Sequence, residues 1–183
     1  MNTKTVLGIS LTAIFVLAII SPSVFAQDEN KAKKNNDPHI NGNIDIGSGE
    51  RLVITGATSH ANGNIEGDGG ILIIKNDAFV NGNIEMKNGA VIIIDAEMNG
   101  NIEVDGGLLN IKNGATVDGN IEIKNGGTLI LDGIIIHGNV EAKDSGFVII
   151  TGNSINGNMK IIDPTGMCFE LNNNVKGKNL GCS

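Results

Sequence analysis

The chain has no tryptophan, no tyrosine and only five phenylalanines among 183 residues. A groove that grips sugar rings on aromatic platforms therefore has almost nothing to build on. Basic residues are scarce too. Lys and Arg number 13 against 20 Asp and Glu, giving a formal charge of −7, and Arg51 is the only arginine. That balance excludes the basic footprint that nucleic-acid binding needs. Past residue 26 no apolar run exceeds five residues, so no later segment is long enough to span a bilayer as a helix. Histidine is limited to His39, His60 and His137, with His60 and His137 four repeats apart, too distant to share a zinc ion. No Ser-His-Asp set is present and the turns are short, which leaves no walls for a pocket. No enzyme is expected from this sequence.

Glycine, by contrast, accounts for 26 residues, about twice the ~7% that is usual. It arrives in a recurring phrase, Asn-Gly-Asn-Ile-Glu, at Asn62 to Glu66, Asn81 to Glu85 and Asn99 to Glu103, with looser copies elsewhere. The glycines of that phrase are Gly42, Gly63, Gly82, Gly100, Gly119, Gly138 and Gly157, spaced 21, 19, 18, 19, 19 and 19 residues apart. Between them, apolar bursts of four or five residues alternate with polar ones and are separated by Asn-Gly, Gly-Gly or Asp-Gly turns. Bursts this short are strands, not helices. Three per repeat predict a coil that cannot bury its apolar side chains alone and must stack on its neighbours. The expected fold is all-β: a three-sided parallel β-helix, a solenoid of about seven coils of ~19 residues. At ~4.8 Å per coil the stack would be about 34 Å long.

Around the repeats, residues 39–162, lie three further segments. Lys4, the apolar run Val6 to Ile20 and the ending Val24-Phe25-Ala26 have the pattern of an export signal over 1–26. Cleavage before Gln27 would leave a charge of 12 − 20 = −8, and a mature chain, secreted or at the cell surface, with no membrane span. An uncleaved run would instead serve as an anchor, since its length is near the spanning limit. Residues 27–38 are polar and read as a disordered N-terminal arm. Residues 163–183, where the period loosens, read as a closing cap. In an oxidising compartment Cys168 and Cys182 are expected to form one disulfide, worth around 3 kcal/mol in the chain-entropy model. Two free thiols, or half of a metal site, are the other readings.

Aligning the coils predicts which columns face inward. On the first side these are Ile44, Ile65, Ile84, Ile102, Ile121, Val140 and Met159, beside Ile46, Met86, Val104, Ile123, Ala142 and Ile161, with Gly67 as a gap. On the third side they are Val80, Met98, Val117, Ile136 and Ile155. On the second side Leu72/Ile74, Val91/Ile93, Leu109/Ile111, Thr128/Ile130 and Phe147/Ile149 are expected inside. That phase leaves Leu52, Ile54, Ile73, Ile92, Ile94, Leu129, Leu131, Val148 and Ile150 outside, an apolar stripe of the kind that marks a contact surface. Ile73, Ile92, Ile94, Leu129, Leu131, Val148 and Ile150 are its candidate self-association face. Cover by the arm or the cap, or a local register shift, is the other reading.

Two polar columns stand out. Asn43, Asn64, Asn83, Asn101, Asn120, Asn139 and Asn158 are expected to hydrogen-bond from coil to coil as an amide ladder. Asp45, Glu66, Glu85, Glu103, Glu122 and Glu141 form a carboxylate column ending in Lys160. At ~4.8 Å, neighbouring carboxylates repel by about 1 kcal/mol even at water's dielectric. Divalent cations would offset that, calcium being the ion suited to carboxylates and amide oxygens. On that reading Glu66, Glu85, Glu103, Glu122 and Glu141 are the metal ligands. Interleaved Lys87, Lys124 and Lys143 would offset it equally well without metal.

The phrase Val117-Asp118-Gly119-Asn120-Ile121-Glu122-Ile123, the turn Asn113-Gly114-Ala115 and the ~19-residue coil together resemble the bactofilins, over about His39 to Ile162. The resemblance implies a right-handed β-helix that polymerises end to end, without nucleotide, as a scaffold, with disordered arms like residues 27–38. Two features depart from that family, which is typically cytoplasmic: the export signal, and a cysteine-bearing closing segment that would cap the stack. The expected role is thus a secreted structural protein whose partner is itself, or the cell envelope. The alternative is an extracellular module holding divalent cations or a cell-surface polymer on its acidic column.

Overall fold

The computed structural model describes residues 32–34 and 39–182. From His39 onward the chain winds as a three-sided parallel β-solenoid of about seven coils. Each coil lays down a strand of two to five residues on the first side (Ile44–Ile46, Ile65–Asp68 and onward), then the second (Arg51–Thr55, Ile71–Lys75), then the third (His60–Asn62, Phe79–Asn81). Strands of successive coils pair in parallel, so each side is one eight-stranded sheet whose neighbours follow chain order. Among the described residues there is no helix.

The repeated glycine is required by the stacking itself. A Cβ on Gly63 would lie less than 3 Å from the carbonyl oxygen of Gly42, and the same holds for Gly82 on Gly63, Gly100 on Gly82, Gly119 on Gly100, Gly138 on Gly119 and Gly157 on Gly138. The corner between third and first sides is thus a column of backbone against backbone, with no room for a side chain. At the next corner the chain turns through the left-handed region instead. Gly69, Asn88, Gly106, Asn125 and Asp144 there have φ between +48° and +75°, a conformation that Gly, Asn and Asp tolerate best.

The core is the apolar interior of the stack. On the first side Ile65, Ile84, Ile102, Ile121, Val140 and Met159 are buried, with Ile44 half-buried at the first coil, and the neighbouring column from Ile46 to Ile161 is buried as well. On the third side Val80, Met98, Val117, Ile136 and Ile155 are fully enclosed. Both sides agree with the periodicity.

The second side corrects the sequence reading. Its register pairs Leu52 with Leu72, Leu109 with Leu129, and Leu129 with Val148, while Ile54, Ile74, Ile93, Ile111, Leu131 and Ile150 form the companion column. Leu52, Ile54, Leu129, Leu131, Val148 and Ile150 are buried in the core and do not lie outside. Thr128 and Ile130 are half-buried and Phe147 is exposed, so they are not inward residues. The cause is one extra residue at the corner before these strands. From the first-side column to the second-side column is seven residues in Ile65–Leu72, Ile84–Val91 and Ile102–Leu109. It is eight in Ile44–Leu52, Ile121–Leu129 and Val140–Val148. In a strand, one added residue upstream exchanges the faces of everything downstream.

Two segments outside the repeats also differ from expectation. Within residues 27–38, expected to be a disordered arm, Ala32–Lys34 is a strand in parallel register with Arg51–Val53. The rest of that segment and the signal over 1–26 lie outside the described residues. Residues 163–182 do not abandon the coil: Cys168–Leu171, Asn174–Val175 and Asn179–Leu180 extend all three sheets in register.

Candidate functional site

With the interior of the coils filled, the side chains open to chemistry or binding among the described residues are those of the outward columns and the ends of the stack. On the first side the carboxylates stand in register, Asp45 on Glu66, Glu66 on Glu85, Glu85 on Glu103, Glu103 on Glu122 and Glu122 on Glu141, followed by Lys160. In the adjoining column Asp68, Lys87, Asp105 and Lys124 alternate in sign. Lysines answer the acids. Lys87 Nζ lies 3.7 Å from Glu85, Lys160 Nζ lies 3.5 Å from Glu141, and Lys124 reaches diagonally across one coil to donate a hydrogen bond to Glu103. That hydrogen bond raises the Lys124 pKa above its ordinary 10.5; desolvation opposes it, and the charges of Glu103, Glu122 and Asp105 add to it. Among the described residues no three His, Cys, Asp or Glu side chains converge to hold a metal ion. Glu66, Glu85, Glu103, Glu122 and Glu141 therefore form a line facing solvent, not a cage.

The Asn column after the repeat glycine works differently from a simple amide ladder. Each Oδ1 accepts the backbone N–H of the Asn one coil on: Asn64 to Asn43 at 3.1 Å, Asn101 to Asn83 at 2.9 Å, Asn158 to Asn139 at 2.8 Å. From Asn101 to Asn158 the side-chain Nδ2 donates to the same oxygen. The side chain thus satisfies a backbone donor at the tight corner, as a helix cap would. A second ladder precedes the glycine, with Asn62 Nδ2 donating to Asn41, Asn81 to Asn62 and Asn99 to Asn81 at 3.1 to 3.5 Å. It continues as Asp118, whose carboxylate is paired with His137 Nδ1.

The histidines are less scattered than their numbering implies. His39 and His60 are in register, their rings stacked at 5.4 Å between centroids, and His60 meets Phe79 at 5.8 Å. His60 Nδ1 donates to the Thr58 carbonyl at 3.0 Å. The signal was available: both histidines stand three residues before a repeat glycine.

On the second side the true outer column runs Val53, Ile73, Ile92, Asn110, Ile130, Ile149 and Phe169. Of the seven residues expected on a self-association face, Ile73, Ile92 and Ile94 hold outward positions. Ile73 and Ile92 are nevertheless only 7% and 6% exposed. The accessible apolar surface gathers instead toward the closing coils, where Phe147 and Phe169 are each 37% exposed, Met167 58% and Leu171 47%.

Cys168 and Cys182 are joined in a disulfide. Among the described residues no helix is long and apolar enough to cross a membrane. No family model, curated protein or solved structure matches this chain.

Proposed function

We propose that this protein is an exported structural β-helix that associates with copies of itself and carries out no catalysis. The observation that carries the reading is the exposed apolar cluster at the closing end of the second side, Phe147, Met167, Phe169 and Leu171. An exposed apolar cluster of this kind on an exported, acidic protein is a contact surface by default. The remaining outward columns support an architectural role, because their amides and ions serve neighbouring coils. Export is supported by the N-terminal pattern and by the disulfide, a bond that persists in oxidising compartments. A bactofilin-like scaffold fits the coil and its recurring phrase, and it is the family reading we favour.

Negative-stain electron microscopy over a concentration series is the test. Particles that widen or lengthen with concentration, and that return to single rods when outward Ile149 is changed to Lys, are expected. Single rods at every concentration would overturn the proposal.

A further inference from the structure

The closing coil is built unlike the others, and the difference lies on its inward face. The column Ile54, Ile74, Ile93, Ile111, Leu131, Ile150 continues in register to Glu170. The first-side column that ends in Met159 continues to Asn179. Beside Ile150, the corner is occupied by buried Asn153 and then Asn173, whose amides bond the Leu131 and Ile150 carbonyls. Where earlier coils present aliphatic carbon in these columns, the last presents a carboxylate and amides beside Cys168 and Val175, which still pack on the core.

The segment after Leu180 then crosses back over this surface. Cys182 is bonded to Cys168, which continues the inward column of Leu129 and Val148. Asn179 Nδ2 donates to Glu170 at 2.9 Å, and Gly181 runs so close to the Glu170 carboxylate that a Cβ there would overlap it. Cys168 is half-buried and Cys182 exposed. The disulfide thus pins a short lid across the apolar interior. Besides that bond, the strand pairing of Asn179 on Met159 and Leu180 on Lys160, the Lys178 N–H donated to Asn158 Oδ1 and the Asn179 bond to Glu170 hold it.

We propose that this lid is a redox-sensitive stop on end-to-end stacking, rationing the self-association inferred above, on which this inference rests. With the disulfide closed, a second copy placed on this end would have to bury the charged Glu170 carboxylate, whose hydrogen bond comes from the neutral Asn179 amide, together with the lid's backbone, which is unfavourable. An external dithiol can open it. A thiolate of the dithiol attacks the exposed sulfur of Cys182, releasing the Cys168 thiolate, and the second dithiol sulfur resolves the mixed disulfide. Two electrons pass to the cystine, which is reduced to two thiols, and the dithiol becomes a disulfide. The freed lid uncovers Met159, Val175 and the small apolar Cys168 side chain. Glu170, released from Asn179, can turn to solvent. The end of the stack then offers strand edges around an apolar centre, which suits another coil of the same kind.

Electron microscopy distinguishes this from contact through the second side, because stacking lengthens particles at constant width. Reduction with dithiothreitol is expected to lower the concentration at which double-length rods appear by tenfold or more. Cys182→Ser should reproduce that shift without reductant and lose all response to it. In Glu170→Leu the intact disulfide should keep single rods, and reduction should then give double-length rods at a concentration tenfold below that for the reduced native protein. Equal particle lengths in the oxidised, reduced and Cys182→Ser proteins would overturn the stop while leaving lateral association standing. Single rods under every condition would overturn both. Circular dichroism on the same samples checks that the coils below the lid stay folded.

Discussion

At the scale of single residues, glycine has two separable jobs here. Gly82 stands where a Cβ would collide with the Gly63 carbonyl, a backbone group that cannot rotate away. Gly82→Ala should therefore push neighbouring coils apart and cost more than ~3 kcal/mol in urea unfolding, among the larger single-site effects. Gly126 has open space around its missing Cβ and only a φ of +80° against it. Gly126→Ala should cost about 1–2 kcal/mol, the left-handed penalty alone. If the two variants lose equal stability, the steric account of the repeat glycine is wrong. Charge at the surface is a smaller matter. Lys124 is raised above 10.5 by Glu103, so the folded state holds its proton more tightly than the unfolded state does. The resulting stabilisation is complete below that value and is lost as pH rises through the folded pKa. Glu103→Gln should thus lower stability slightly at neutral pH, by about 0.2–1 kcal/mol for so exposed a pair. Native and variant proteins should converge in thermal melts once the pH has risen through the folded-state pKa of Lys124.

At the scale of the strand, the issue is which face is which. Leu129 is fully enclosed and Ile130, its neighbour, is half-buried on the outer face. Leu129→Ala should cost about 2–5 kcal/mol and Ile130→Ala under about 1.5 kcal/mol. The reverse order in denaturant titration would restore the opposite register. The first and third sides were legible because Gly-Asn-Ile fixes where third-side strands end and first-side strands begin, and the alternation from Ile102 to Val104 has one sensible phase. The second side was not, because Thr128-Leu129-Ile130-Leu131 and Phe147-Val148-Ile149-Ile150 are apolar in both phases. Only the corner length chooses between them, and Asn125-Gly126-Gly127 carries one residue more than Gly106-Gly107. The same ambiguity misplaced four of the seven residues expected on the contact face. The strand Ala32–Lys34 was invisible for another reason: its composition is that of a linker, and its partner, Arg51–Val53, supplies the free edge it pairs with.

At the scale of the molecule, the acidic first side has no cage for a cation among the described residues, and its lysines already reach Glu85, Glu103 and Glu141. Millimolar calcium is accordingly expected to leave the melting temperature unchanged. A rise of several degrees would return the carboxylate column to a ligand role. Assembly is where function should be sought, through the apolar outer face and, on reduction, through the closing coil.

The sequence by itself determined the repeat, the strand-only composition and the parallel stack, since a coil of three short apolar bursts has no other way to bury them. It also pointed to the pairing of Cys168 with Cys182. Tertiary structure decided what depends on summed corner lengths and on neighbours one coil away. That includes the phase of the second side, the stacking of His39 on His60, and the use of Asn side chains to satisfy the next coil's backbone. It includes too the placing of Glu170 over an aliphatic column. A one-residue difference at a corner is nearly silent in a sequence pattern, yet it exchanges the two faces of the second-side strand that follows it.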